Sequence, residues 1–139
     1  MNRIDMERLK STLVRHEGEK LEMYKCSMGY RTIGVGHNLD SKPISERVSR
    51  LMLEDDISDA VADCERNIGF FSNLDDDCQE ALVNLCFNMG IAKLMQFKKT
   101  LAYLKEGQRE KAANELLDSR YASQVGYRAV EVASMIKGD

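Results

Sequence analysis

The stretch HEGEKLEMYKCSMGYRTIGVGHNL, residues 16–39, decides the reading of the fold. It holds four glycines and two tyrosines, and its second half alternates as a strand does. Arg31, Ile33 and Val35 would face one side, and Tyr30, Thr32, Gly34 and Gly36 the other. Ser27-Met28-Gly29 is a turn signal between two extended runs. This pattern predicts a small antiparallel sheet here and no sheet elsewhere.

On its N-terminal side, Ile4, Met6, Leu9, Leu13 and Val14 recur among charges, as in an amphipathic helix, and Gly18 is a natural stop. On its C-terminal side the chain reads as helical to its end. Lys42-Pro43 leads into ISERVSRLMLEDDISDAVADCERNI, residues 44–68, with Ser45 as N-cap. Val48, Leu51, Met52, Ile57 and Val61 fit one long helix or a kinked pair. Gly69 to Asn73 breaks it. Asp76 with Gln79 resembles a capping box. Leu82, Leu85, Cys86 and Met89 then form an apolar stripe ending at Gly90. Leu94, Phe97, Leu101 and Leu104 keep helical spacing before Gly107. Two further helices are marked by Ala112, Ala113, Leu116 and Leu117, and by Val130, Ala133 and Ile136. A helix, a small sheet and a run of helices make an α+β fold with the sheet segregated.

The bulk properties agree with one ordinary packed domain. The chain has 139 residues, 43% of them apolar, and carries a net charge of -3. No window approaches the ~18 apolar residues of a membrane span. Asp5, Glu7 and Arg8 interrupt the N-terminal run where a signal peptide would need an apolar core. Mild acidity gives no support for nucleic-acid binding. With two His and no C-x-x-C, a metal site is poorly supported. Cys78 and Cys86 on one helix would be separated by ~12 Å of rise, too far for a disulfide. Unpaired thiols are expected throughout.

Three residues draw notice. Glu17 ends the first helix, where the negative end of the helix dipole disfavours a carboxylate, and a carboxylic acid is the group a general acid requires. Thr32 shares a strand face with Gly34 and Gly36, which leave an open floor for a ligand. Cys26 sits in a polar turn, whereas free cysteine is normally buried. Taken singly each has a plain reading: a surface glutamate, a β-branched strand former and a half-buried structural thiol.

Their combination is more specific. Glu17, Cys26 and Thr32, separated by eight and five residues, resemble the catalytic signature of the phage-type lysozymes, whose middle position is Asp or, in some members, Cys. The surrounding text is similar to that family's E-G-x-x-L-x-x-Y…G-x-x-T-I-G-x-G-H block. QEALVNLCFNMG, residues 79–90, with Phe97 and Leu101, resembles its central buried helix and the next one, and Lys111 to Arg128 resembles its C-terminal region.

The resemblance implies a lysozyme-like fold. A small antiparallel β-lobe, about residues 17–60, would accompany a larger helical lobe, about 1–16 and 61–139, with the active-site cleft between them. It implies an endolysin that hydrolyses the β-1,4 bond between N-acetylmuramic acid and N-acetylglucosamine in bacterial peptidoglycan. Glu17 would be the general acid. Cys26 and Thr32 would position or activate a water in an inverting reaction. Asn38, Phe87 and Thr100 correspond to substrate-side positions. Arg128 corresponds to an arginine that pairs with the catalytic glutamate, and His37 supports the site. Neither cofactor nor metal is implied. A monomer would stay in the host cytoplasm until a holin releases it to the wall in the periplasm. The acidic balance and the missing Asp motivate one alternative, a catalytically weak peptidoglycan-binding module on the same fold.

Overall fold

A computed structural model describes residues 3–139. The chain divides into two compact units, one ending at Arg50 and the other running from Leu51 to Asp139.

In the first unit, helix α1 spans Met6–Glu17. It starts because the Asp5 side chain accepts the Arg8 amide at 3.1 Å. It stops at Gly18, whose φ of 77° suits glycine and whose N–H reaches the Val14 carbonyl at 2.8 Å. Its apolar stripe is present, yet no α1 residue is buried. Strands β1 (Lys20–Lys25), β2 (Arg31–Gly34) and β3 (His37–Asn38) form one antiparallel sheet in that order. Among the described residues no other strand occurs, as the alternation predicted. Tyr24 pairs with Thr32, and Thr32 with Asn38, so Thr32 lies mid-sheet and is buried. The expected strand through Gly36 is too long. Gly34 and Gly36 both take positive φ, and Val35-Gly36 turns the chain into β3.

Helix α2 is one helix, Glu46–Asn67, and not a kinked pair. Ser45 Oγ accepts the Val48 amide at 3.2 Å, the cap read from the sequence.

The second unit carries the core. A short 3-10 turn at Phe71–Asn73 precedes helix α3, Asp76–Met89. Its cap is Asp75, which accepts the Cys78 amide, and not Asp76. Gln79 bonds the Phe71 carbonyl at 2.9 Å, which ties the preceding turn to α3. Leu82, Leu85 and Cys86 are buried as their spacing required. The helix expected from Leu94 to Leu104 is broken: α4 is Ile91–Leu94 and α5 is Lys98–Lys105, with Phe97 at a non-helical ψ of 60° between them. Helices α6 (Arg109–Leu117), α7 (Arg120–Val125) and α8 (Tyr127–Lys137) complete the unit. Leu82, Leu85, Leu94, Leu104, Leu116, Val132 and Ile136 form one buried cluster. Arg109 stitches its edge, donating to the Ile136 carbonyl at 2.7 Å and pairing with Asp75.

The two units differ in charge. Residues up to Arg50 contain ten Lys and Arg against seven Asp and Glu, a net of +3. Residues 51–139 contain ten against sixteen, a net of -6. All four cysteines are free. Among the described residues no helix is long and apolar enough to cross a membrane, and no cluster of His, Cys, Asp and Glu could hold a metal ion.

Candidate active site

Three chemistry-bearing side chains of the first unit are set by its turns. Glu17 is the last residue of α1, and the positive φ of Gly18 ends the helix directly after it. Its carboxyl arm lies along the backbone of Gly36: a Cβ built there would stand 3.0 Å from Glu17 Oε2. The glycines flanking Val35 therefore do not form one open floor. Glu17 itself covers Gly36, and only Gly34 has open space where a side chain would be.

Cys26 begins the β1–β2 turn. Its amide donates to the Tyr30 carbonyl at 2.9 Å, and Gly29 N–H donates back to the Cys26 carbonyl at 2.8 Å. Gly29 supplies the positive φ, 83°, that this turn needs. The Thr32 hydroxyl donates to the same Tyr30 carbonyl at 2.9 Å. One backbone oxygen thus gathers Cys26 and Thr32. The Cys26 thiol is held below the ordinary thiol range, chiefly by hydrogen bonding from the Met28 backbone, then from Tyr30; a smaller bond with the Thr32 side chain acts the same way, against some desolvation. Thiolate is the form of cysteine that accepts a proton, and this turn favours that form over the neutral thiol.

The loop beyond β3 is short and closed by its own side chains. Asn38 Oδ1 accepts the Asp40 amide at 2.9 Å and the Ser41 amide at 3.2 Å. Arg31 clasps Asp40 through its backbone amide, at 2.7 Å, and through its guanidinium, at 2.8 and 2.6 Å. The Arg31 hydrogen bonds hold the Asp40 carboxyl below the usual carboxylate range. His37 Nε2 lies 2.9 Å from the Lys42 carbonyl. Asn38 and His37 are thus both engaged in shaping this loop.

Phe87, Thr100 and Arg128 belong to the second unit, which places them in different depressions. Phe87 and Arg128 line an open groove of about 770 Å³, with Leu53, Ile57, Val83 and Asn84 on its walls. Arg128 is fixed there by Asn84, whose Oδ1 accepts from Nε at 3.1 Å and from Nη2 at 2.9 Å. Thr100 is buried on α5, beside Phe97, Glu115 and Ser119. Sequence reasoning passed over Gly36 as a partner of Glu17, the Arg31–Asp40 clasp and Asn84. The G-x-G spacing was the signal for the first, read there as open space.

Residues 14–133 match the family model for phage lysozyme. The chain is similar to "Probable T4-type lysozyme 1" of Dictyostelium discoideum, 32% identical across 93% of each chain. It is 33% identical to "Probable T4-type lysozyme 2" of the same organism, again across 93% of each. It is also 28% identical to the pre-baseplate central spike protein Gp5 of Enterobacteria phage T4, covering 89% of this chain and 26% of that one.

Proposed function

This chain belongs to the phage lysozyme family, and from that premise we propose a reaction and a set of roles for it. A lysozyme-type glycosidase acting on peptidoglycan is what the family supports. The proposed bond is the β-1,4 linkage between N-acetylmuramic acid and N-acetylglucosamine. Glu17 protonates the leaving glycosidic oxygen. On the opposite sugar face, Cys26 and Thr32 hold the attacking water, and the Cys26 thiolate takes its proton. The new reducing end then carries the inverted, α configuration.

The observation that carries this reading is the Tyr30 carbonyl, which accepts from both the Cys26 amide and the Thr32 hydroxyl. A thiol in place of a carboxylate needs help to ionise, and the turn's hydrogen bonds act in that direction. Asn38, Phe87 and Thr100 are proposed on the substrate side. Arg128, steadied by Asn84, and His37, at the Lys42 carbonyl, are proposed as supports. The enzyme would act as a monomer. It would be kept in the host cytoplasm until a holin admits it to the periplasmic wall.

Turbidity clearing of outer-membrane-permeabilised Gram-negative cells tests the reading. Removing a general acid costs about 10²- to 10⁴-fold, so folded Glu17→Gln should clear little or nothing. No clearing by folded wild type across about pH 5 to 9 would overturn the enzyme reading and leave a wall-binding module. NMR of freshly released muropeptides reads the anomer; an initial β product would overturn inversion.

A further inference from the structure

Gly34 and Gly36 flank Val35 and share one backbone conformation. Their φ angles are +68° and +64°, a region that side-chain-bearing residues rarely adopt. They differ in what a side chain would meet. A Cβ at Gly34 would find nothing within 4 Å. A Cβ at Gly36 would stand 3.0 Å from Glu17 Oε2, 3.2 Å from Cδ and 3.3 Å from Cγ. Carbon atoms at rest keep about 3.5–4.0 Å apart, so a methyl group and the Glu17 arm cannot both stay in place.

The backbone has little freedom to give way. Ile33 pairs with His37 across the turn that contains Gly36, and the His37 ring is held at the Lys42 carbonyl. The Glu17 arm is the soft partner, because its end can turn about single bonds. A methyl at position 36 would therefore displace the carboxyl and leave the fold intact.

We propose that Gly36 is a positioning residue for the reaction: its bare Cα is the seat that holds the Glu17 carboxyl in place. This rests on the reading of Glu17 as the general acid. It predicts that the two glycines, alike in conformational strain, separate in catalysis.

The experiment compares Gly34→Ala with Gly36→Ala by thermal unfolding, by kcat and KM, and by the carboxyl ¹³C resonance of Glu17, assigned from its loss in Glu17→Gln. Gly34→Ala carries the same backbone strain without the Glu17 contact, and any crowding of a sugar on that face shows in KM, so kcat is the discriminating readout. Both variants should lose similar thermal stability. Gly36→Ala alone should lower kcat by about 10- to 100-fold, the scale of a sub-ångström to 1 Å misplacement. Its KM should stay within about twofold, since ground-state binding is untouched. Its Glu17 resonance should move, and that of Gly34→Ala should not. Equal kcat in the two variants, or an unmoved Glu17 resonance in Gly36→Ala, would overturn the proposal. If Gly36→Ala is the less stable of the two, adding Glu17→Ala should close that gap, and a gap that persists counts against the seat. If wild type cleaves no wall, the acid role falls with it, while the resonance comparison still decides whether Gly36 seats the carboxyl.

Discussion

The unit up to Arg50 and the unit from Leu51 are ordered by different means. Among the described residues of the first, only Thr32 is buried. The second holds every buried apolar side chain, from Ala60 to Ile136. The first is shaped by hydrogen bonds at its turns: Tyr30 to Cys26 and Thr32, Asn38 to Asp40 and Ser41, Arg31 to Asp40. The second is shaped by close-packed Leu, Ile, Val and Ala. The proposed chemistry falls in the unit that is not stabilised by a core. Polar turns can aim a carboxyl and a thiol at solvent, which a packed interior cannot do.

Truncation of apolar side chains tests that contrast most severely. Leu82 is fully buried and Leu21 is largely exposed. Leu82→Ala should cost about 2–5 kcal/mol in chemical denaturation. Leu21→Ala should stay within about 0.5 kcal/mol. Comparable losses would mean that the first unit owes its order to apolar contact after all.

The thiols give a second, chemical version of the contrast. Cys26 is held below the ordinary thiol range by its turn. Burial pushes the Cys64 thiol up to about 12 and the Cys78 thiol up to about 11. Burial raises Cys86 as well. One equivalent of iodoacetamide on the native protein should modify Cys26 alone, read by peptide mass, and lytic activity should fall in step. Alkylation at Cys64, Cys78 or Cys86 at a similar rate would break the contrast. Full activity after stoichiometric Cys26 alkylation would remove Cys26 from the mechanism.

The smallest expected effect concerns the Arg31–Asp40 clasp. Asp40 has a lowered carboxyl in the folded chain. Its contribution is therefore present above the unfolded carboxylate value of about 3.9 and is lost as pH falls through the lower folded value. The Tm gap between wild type and Asp40→Asn should be open at neutral pH and should close in acid below that value. A gap that does not change with pH would show that the clasp acts by shape and not by charge.

Much of this was legible in the residues. Periodicity placed the helices because a buried stripe must recur every three or four positions, as Leu82, Leu85 and Cys86 do. Alternation placed β2, and Gly18 and Ser45 marked real helix ends. What failed were features set by contacts distant in sequence or by backbone angles. The break at Phe97 leaves no mark in hydrophobic spacing, since Leu94, Leu101 and Leu104 are all buried on either side of it. Asp75, Asp76 and Asp77 are equally good caps by type, and only local geometry chose the first. Gly36 read as open space because a sequence cannot show that a side chain nineteen positions earlier fills it.

The division of charge changes what the isoelectric point of about 5.5 means. A net charge of -3 governs how the whole chain migrates and how it repels its own copies. An anionic polymer approaching within a Debye length, about 8 Å at physiological salt, responds to the nearest charges and not to that sum. The unit that holds Glu17, Cys26 and Thr32 carries a net +3. An acidic protein can in this way present an attractive local field to an acidic wall.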